Sequence, residues 1–326
     1  MCNRYMKLDF QPQRVHTHEY DRFEVEAEGL GRYTIEVSLP SNFSVSSGAR
    51  LPVILVTDGN FMFDLTQTLV HGNLANMSAP LPPSIVVGVG YPEDEGKASY
   101  YARRNFDFFG DWDMTDAVGQ LLLGILESMK NAEDKRDLVM RAGGCSRFIR
   151  FLQDELLPAL ARHYPIDTEA RHTLMGDSSG GHFVLRALFE PNTCFKRYIS
   201  VSPAFGCASG TIAQAEAAYA SEHNDLDADL FICCGRHEVG DNRTYGLAHA
   251  GSGVTWVAEQ LAIREWPSAR VHWEIMSHED HASILPRALA AGLRSVHRVR
   301  PGVHTEEHKK ATNHLLQDLA SGRRGI

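Results

Sequence analysis

The sequence predicts an α/β fold with a mostly parallel central sheet, helices on both faces of the sheet, and antiparallel strands at its N-terminal edge. Continuous apolar runs at residues 52–56 and 84–90 are typical of parallel strands that are buried on both faces. Helical patterns alternate with such runs, which is the order expected of a parallel sheet covered by helices. The stretch 33–39 alternates apolar and polar residues, as a half-buried antiparallel strand does.

The remaining elements follow from the same patterns along the chain. β-Forming residues at 15–27 predict a first edge strand before the strand at 33–39. Shorter apolar runs predict further buried strands at 173–175, 198–201, 230–234 and 271–276. Apolar residues near helical spacing predict helices at 146–162, 183–189, 253–264 and 282–296.

A single domain over residues 1–299 accommodates these elements, because no linker or internal repeat divides the chain. The segment 92–144 interrupts the alternation and is rich in aromatic and charged residues. We expect it to form an insertion, part loop and part helix, over the strand ends. Residues 300–326 are polar and predict a C-terminal tail that is a loose surface helix or disordered.

The composition argues against several classes of function. The 326 residues carry a formal net charge of −9, whereas nucleic-acid recognition needs a basic face. No apolar run reaches the roughly 18 residues of a membrane span, so no membrane partner is expected. The N-terminus lacks the apolar segment of a secretory signal peptide, which predicts a cytoplasmic location. The six cysteines show neither zinc-site nor C-x-x-C spacing.

Residues 176–181, with the sequence GDSSGG, contain a G-x-S-x-G motif centred on Ser178. Such a motif between a strand and a helix is typical of a nucleophile elbow, a strained turn that exposes the serine hydroxyl above a sheet. The apolar run at 173–175 and the helical pattern that follows provide this context, so Ser178 is the predicted nucleophile. Ser179 falls inside the start of the helix. Side chains at Gly176 or Gly180 are expected to collide with neighbouring backbone.

A serine nucleophile needs a base and a carboxylate that orients the base, and in this arrangement they follow in the order serine, acid, histidine. The loop after the last strand contains His278 and His281, of which His281, just before the next helix, is favoured. The loop after strand 230–234 contains Glu238 and Asp241. Glu238 is favoured as the acid, and Asp241 remains an alternative.

The oxyanion hole is expected to combine two backbone N–H groups. One is that of Ser179, at the start of the helix after the nucleophile. The other is that of Asn60 or Phe61, in a loop after the strand at 52–56. Asp58 and Gly59 are expected to shape that loop.

Several segments resemble the putative-esterase family of α/β hydrolases, which includes iron-siderophore esterases, feruloyl esterases and S-formylglutathione hydrolase. The likeness covers roughly residues 33–296 and is clearest in LPVILVTDGN at 51–60, IVVGVGYP at 85–92, HTLMGDSSGGHFVLRALFEP at 172–191 and EDHASILP at 279–286. It implies an α/β-hydrolase fold with Ser178, Glu238 and His281 as a catalytic triad. Asp177 departs from the family, since many members have histidine before the nucleophile.

The residues and the resemblance imply a serine hydrolase that cleaves a carboxylic ester through an acyl-enzyme, without a cofactor or metal. The expected substrate is a small-molecule ester, either a siderophore-type lactone or an aryl or acyl ester. Arg103 and Arg104 resemble the arginine-bearing loop of siderophore esterases, although a surface basic pair explains them equally well. With Trp112 they are the predicted substrate contacts. An acyltransferase with the same triad, or a non-catalytic binding module on the same fold, remains open.

Overall fold

The computed structural model describes residues 19–40, 48–73, 81–130, 139–208 and 210–298. Within these residues the strands are β1 (Asp21–Ala27), β2 (Gly31–Ser38), β3 (Val53–Thr57), β4 (Ile85–Gly90), β5 (His172–Asp177), β6 (Phe195–Val201), β7 (Asp229–Gly235) and β8 (Arg270–Met276). The α-helices are α1 (Gly59–Asn73), α2 (Gly96–Phe108), α3 (Ala117–Met129), α4 (Cys145–Arg150), α5 (Leu157–Ala161), α6 (Ser179–Leu188), α7 (Thr211–Glu222), α8 (Arg243–Leu247), α9 (Ala250–Arg264) and α10 (Leu285–Val296). A π-helical stretch, Phe151–Leu156, joins α4 to α5.

All eight described strands form one sheet in the order β1-β2-β4-β3-β5-β6-β7-β8. β3 to β8 run parallel, with Val53 opposite Ile85 and Leu55 opposite Leu174. β2 pairs antiparallel with β4, and β1 pairs antiparallel with β2. The predicted mostly parallel sheet with an antiparallel N-terminal edge is therefore confirmed.

The sheet is buried on both faces because its central strands are apolar along their whole length. Every residue of β3, β4 and β7 is buried. On one face α1 and α10 pack against the sheet through side chains such as Phe63 and Leu289. On the other face α4, α6 and α9 contribute Phe148, Phe183 and Val254 to a second core. Because β3 to β8 run parallel, their carboxyl ends lie along one edge of the sheet.

Two segments differ from the prediction. The stretch from Asp58 to Phe61 was expected to be a loop, whereas α1 begins at Gly59. Phe63 and Val70 of α1 are fully buried against the sheet, so packing stabilises the helix. The sequence did not predict it because the helix begins with glycine and asparagine, which are typical of turns. α7 was also not predicted, because its alanine-rich sequence buries only Ile212 and Glu216.

The insertion expected at 92–144 contains α2 and α3, and α2 packs against α4 and α6. Residues 15–18 of the predicted first strand and the predicted tail at 300–326 lie outside the described residues. Among the helices of the described part, none is long and apolar enough to span a bilayer.

Candidate active site

Ser178 lies in a sharp turn between β5 and α6, at the carboxyl edge of the sheet. Its backbone angles are φ 59° and ψ −115°, a conformation that side-chain-bearing residues rarely adopt. Two hydrogen bonds fix the turn: the Ser178 N–H donates to the Val201 carbonyl at 2.9 Å, and the Ala204 N–H donates to the Ser178 carbonyl at 3.0 Å. This is the geometry that the elbow motif predicts.

The glycines of the motif are required by close approach. A Cβ on Gly176 would lie 2.6 Å from the Thr57 hydroxyl oxygen and as close to the Gly180 backbone. A Cβ on Gly180 would lie 2.7 Å from the same hydroxyl. The expected collision is therefore with backbone at Gly176 but with the side chain of Thr57 at Gly180. At both glycines the elbow therefore lies in close contact with Thr57, the last residue of β3.

Glu238 and His281 meet at the same edge of the sheet, after β7 and β8. The Glu238 carboxylate is 1% exposed and lies 2.8 Å from His281 Nδ1 through Oε2. Its other oxygen accepts hydrogen bonds from the Ser202 hydroxyl at 2.6 Å and from the Gly235 N–H at 2.7 Å. The carboxylate is thus held by three donors and fixes the orientation of the imidazole.

The two alternatives that the sequence left open lie elsewhere. Asp241 is exposed and pairs with His237, 3.1 Å away. His278 is exposed, with a backbone φ of 65°. The structure therefore brings Glu238 and His281 together, whereas Asp241 pairs with His237 and His278 is exposed.

The pair has complementary electrostatics. Burial alone would raise the pKa of Glu238, but the hydrogen bonds from His281, Ser202 and Gly235 outweigh it and lower the pKa. Burial alone would lower the pKa of His281, but the Glu238 hydrogen bond and the nearby negative charges outweigh it and raise the pKa. The site therefore favours a charged carboxylate and stabilises an imidazolium when one forms.

Asp177 is a third ionisable group at this edge. It is buried beside Ser178, and its Oδ1 has no hydrogen-bond partner among the described residues. Burial raises its pKa to about 7, against the favourable charges of His281 and Arg104. A carboxyl group that changes charge near neutral pH therefore adjoins the elbow.

Two segments hold the backbone N–H groups predicted for the oxyanion hole. Ser179 is the first residue of α6, where an N–H has no acceptor within its own helix. In the first turn of α1 the Phe61 N–H donates to the Asp58 carbonyl at 3.1 Å, which leaves Asn60 as the better candidate. The Asn60 side chain fixes that turn, because its amide exchanges two hydrogen bonds with the Tyr91 backbone, each 2.7 Å long.

Each residue predicted to contact substrate has a partner in the chain. The Arg103 guanidinium binds Glu95 at 2.9 Å and the Leu30 carbonyl at 3.1 Å. The Arg104 guanidinium binds both oxygens of the buried Asp58. The Trp112 indole N–H donates to Asp116 at 2.9 Å. The two arginines therefore form ion pairs within the protein and are not an exposed basic pair. Substrate contact by Arg103, Arg104 or Trp112 stays a prediction.

Two residues of the site carry no sequence signal. Ser202, directly after β6, donates to Glu238, and the Tyr245 ring stacks on His281 with its centroid 4.7 Å away. Neither belongs to a motif. The sequence could have indicated a role for Ser202 only through its position directly after a predicted strand, and Tyr245 lies in the short helix α8, which was not predicted.

Comparisons with known proteins identify similarity to esterases. The family model described as "Putative esterase" matches residues 127–282, a range that contains Ser178, Glu238 and His281. The ferri-bacillibactin esterase BesA of Bacillus subtilis is 27% identical over 266 residues, which are 80% of this chain and 83% of that protein. The siderophore triacetylfusarinine C esterase of Aspergillus fumigatus is 30% identical over 195 residues, 59% of this chain and 58% of that protein.

Solved structures agree on the fold. The BES protein from Bacillus cereus superposes with a TM-score of 0.70 at 24% identity, over 89% of this chain and 100% of that one. The siderophore hydrolase EstA from Aspergillus nidulans gives a TM-score of 0.69 at 19% identity, over 88% and 97% of the two chains. Residues 127–282 are thus similar to the putative-esterase family, and the esterase relatives support a carboxylic ester hydrolase activity for this chain.

Proposed function

We propose that the protein hydrolyses a siderophore ester, with Ser178 as nucleophile, His281 as base and Glu238 as the residue that orients His281. The observation that carries the triad is the buried Glu238–His281 hydrogen bond at the sheet edge that also presents the strained Ser178. Similarity to the Bacillus subtilis ferri-bacillibactin esterase over 80% of the chain supports the substrate class.

The first chemical step follows from the tautomer of His281. Because Nδ1–H donates to Glu238, the lone pair of Nε2 is free to accept the Ser178 hydroxyl proton. The serine oxygen then bonds to the ester carbonyl carbon, and the carbonyl oxygen becomes an oxyanion. Glu238 stabilises the imidazolium that results.

Two backbone N–H groups, of Ser179 and Asn60, stabilise the oxyanion. When the tetrahedral intermediate collapses, the alcohol leaves with the proton from His281 and the acyl group stays on Ser178. A water then gives a proton to His281 and bonds to the acyl carbon. The acid is released when the bond to Ser178 breaks and the serine oxygen takes back its proton.

Aromatic side chains border the proposed centre and suit a substrate with flat rings. Phe61 follows Asn60 at the start of α1 and is 49% exposed, which is unusual for a phenylalanine. Tyr245 covers one face of His281. Aromatic surfaces of this kind stack on planar groups, such as the catechol rings of a siderophore.

Hydrolysis of two substrate classes by wild type and Ser178→Ala tests the proposal. We expect wild type to release p-nitrophenol from p-nitrophenyl butyrate and to open a tris-catechol trilactone, as chromatography of its products would show. Ser178→Ala should lose roughly a thousandfold or more of both activities. Ser221→Ala, an exposed serine on α7, is the matched control and should keep both.

The two parts of the proposal fail separately. Retained activity in folded Ser178→Ala would exclude Ser178 as nucleophile. A wild-type protein that cleaves p-nitrophenyl butyrate but leaves the trilactone intact, with and without ferric iron, would exclude the substrate class and keep the triad.

A further inference from the structure

Arg104, on α2, connects two segments that are far apart in sequence. Its Nε donates to Asp58 Oδ1 at 2.7 Å, and its Nη2 donates to Asp58 Oδ2 at 2.8 Å. The same Nη2 donates to the Asp177 backbone carbonyl at 3.1 Å. One planar group therefore holds the residue that precedes α1 and the residue that precedes Ser178.

These two segments carry the oxyanion N–H groups of the proposed mechanism. Asp58 directly precedes α1 and holds its first turn, because the Asp58 carbonyl accepts the Phe61 and Met62 N–H groups, each at 3.1 Å. Its carboxylate also lies against α6, since a Cβ on Gly180 would be 3.2 Å from Oδ2. The position of the Asp58 carboxylate therefore affects both the turn with Asn60 and the turn with Ser179.

The connection is buried, and both oxygens of the Asp58 carboxylate accept hydrogen bonds. The Asp58 side chain is 0% exposed and that of Arg104 is 11% exposed, and the Tyr100 hydroxyl adds a third bond to Asp58 at 2.9 Å. Buried charges of this kind are stable only with good geometry, which a bidentate guanidinium provides and an ammonium group does not. Lysine at position 104 would keep the charge and lose the two-point contact.

We propose that Arg104 is a positioning residue that sets the separation of the two oxyanion-hole segments, and that it does not bind a charged substrate. The inference rests on the proposed function. Displaced N–H groups weaken the transition state more than the bound substrate, so kcat falls while KM stays nearly constant. A group that binds an anionic substrate would instead change the KM of that substrate.

Steady-state kinetics of Arg104→Lys and Arg104→Met on two esters separate these roles. The esters are the neutral p-nitrophenyl butyrate and the anionic mono-p-nitrophenyl succinate. We expect both variants to lose kcat by about ten- to a hundredfold on both esters, with KM within about twofold. A rise in KM confined to the succinate ester, rescued by lysine, would overturn the proposal, as would unchanged kcat.

Arg264→Lys is the matched control, because Arg264 makes a bidentate pair with the buried Glu216 away from the elbow. It should keep kcat within about twofold. If single variants at Arg104 do not fold, Asp58→Leu combined with Arg104→Met replaces the ion pair by apolar contacts. A folded double variant with wild-type kcat would also overturn the proposal. Because wild type is measured in parallel, an inactive wild type would point to the proposed function itself.

Discussion

Two buried carboxyl groups, Glu238 and Asp177, raise the pKa of His281, and they differ in their hydrogen-bond donors. Glu238, after β7, accepts hydrogen bonds from Ser202, Gly235 and His281. Asp177, at the end of β5, has a buried oxygen without a partner among the described residues. Both are within electrostatic range of the imidazole, and both raise its pKa.

The charge state of each carboxyl group follows from its hydrogen-bond donors rather than from its burial. Burial acts to raise the pKa of both, and in Asp177 it prevails, so the pKa reaches about 7. In Glu238 three donors reverse the effect and the net shift is downward. Glu238 is therefore a permanent negative charge at neutral pH, whereas Asp177 is a charge that pH can remove.

The largest expected effect is that of Glu238→Gln, which keeps the shape and removes the charge. We expect kcat/KM for p-nitrophenyl butyrate to fall by roughly a thousandfold or more, because the imidazolium loses its counter-ion and His281 is no longer held in one tautomer. Asp241→Asn, in the same loop but exposed, should stay within about twofold of wild type. The opposite ranking would make Asp241 the acid.

A smaller effect is expected from Ser202→Ala, which removes one of the three donors to Glu238. The pKa of Glu238 should rise, since its charged form loses a hydrogen bond. His281 must be neutral to act as the base, so the acidic limb of the kcat/KM profile follows the pKa of His281. A Glu238 carboxylate with one donor fewer stabilises the imidazolium more strongly, so the limb should move to higher pH, with a loss at neutral pH of about three- to tenfold. Ser200→Ala removes a buried hydroxyl that binds Gly181 instead, and it should leave the limb in place. If the acidic limb of Ser202→Ala does not move, Gly235 and His281 alone are enough to keep Glu238 charged.

The sequence predicted the central sheet and the three proposed triad residues, each for a physical reason. The central sheet followed from apolar runs, because strands buried on both faces must be apolar throughout. Ser178 followed from its motif, because a strained turn pressed against β3 tolerates only glycine at two positions. His281 and Glu238 followed from chain order, because both come just after predicted strands.

What could not be predicted depends on contacts between distant parts of the chain. Asp58 and Arg104 are 46 positions apart, and nothing in either segment indicates the ion pair between them. The donation from Ser202 to Glu238 spans 36 positions and is one of the hydrogen bonds that lower the pKa of the acid. The raised pKa of Asp177 results from burial, which no hydrogen bond to its Oδ1 among the described residues offsets, and only three-dimensional packing reveals this.

The smallest expected effect on turnover is that of Asp177→Asn, which instead changes stability. A folded-state pKa of about 7, against an ordinary value of 3.8, means that the folded protein binds more protons than the unfolded chain between these pH values. The free energy of unfolding of wild type should therefore decrease as pH rises from about 4 to about 7. Asparagine mimics the neutral acid and does not titrate.

Asp177→Asn should accordingly be more stable than wild type at pH 8, by at most about 4 kcal/mol, and the advantage should shrink at pH 5. Thermal unfolding midpoints at the two pH values measure this difference. Asp225→Asn is a control of opposite sign, because hydrogen bonds from Ser268 lower the pKa of Asp225. Wild-type and Asp177→Asn midpoints that change in parallel would show that Asp177 carries the same charge at both pH values, and the contrast with Glu238 would then disappear.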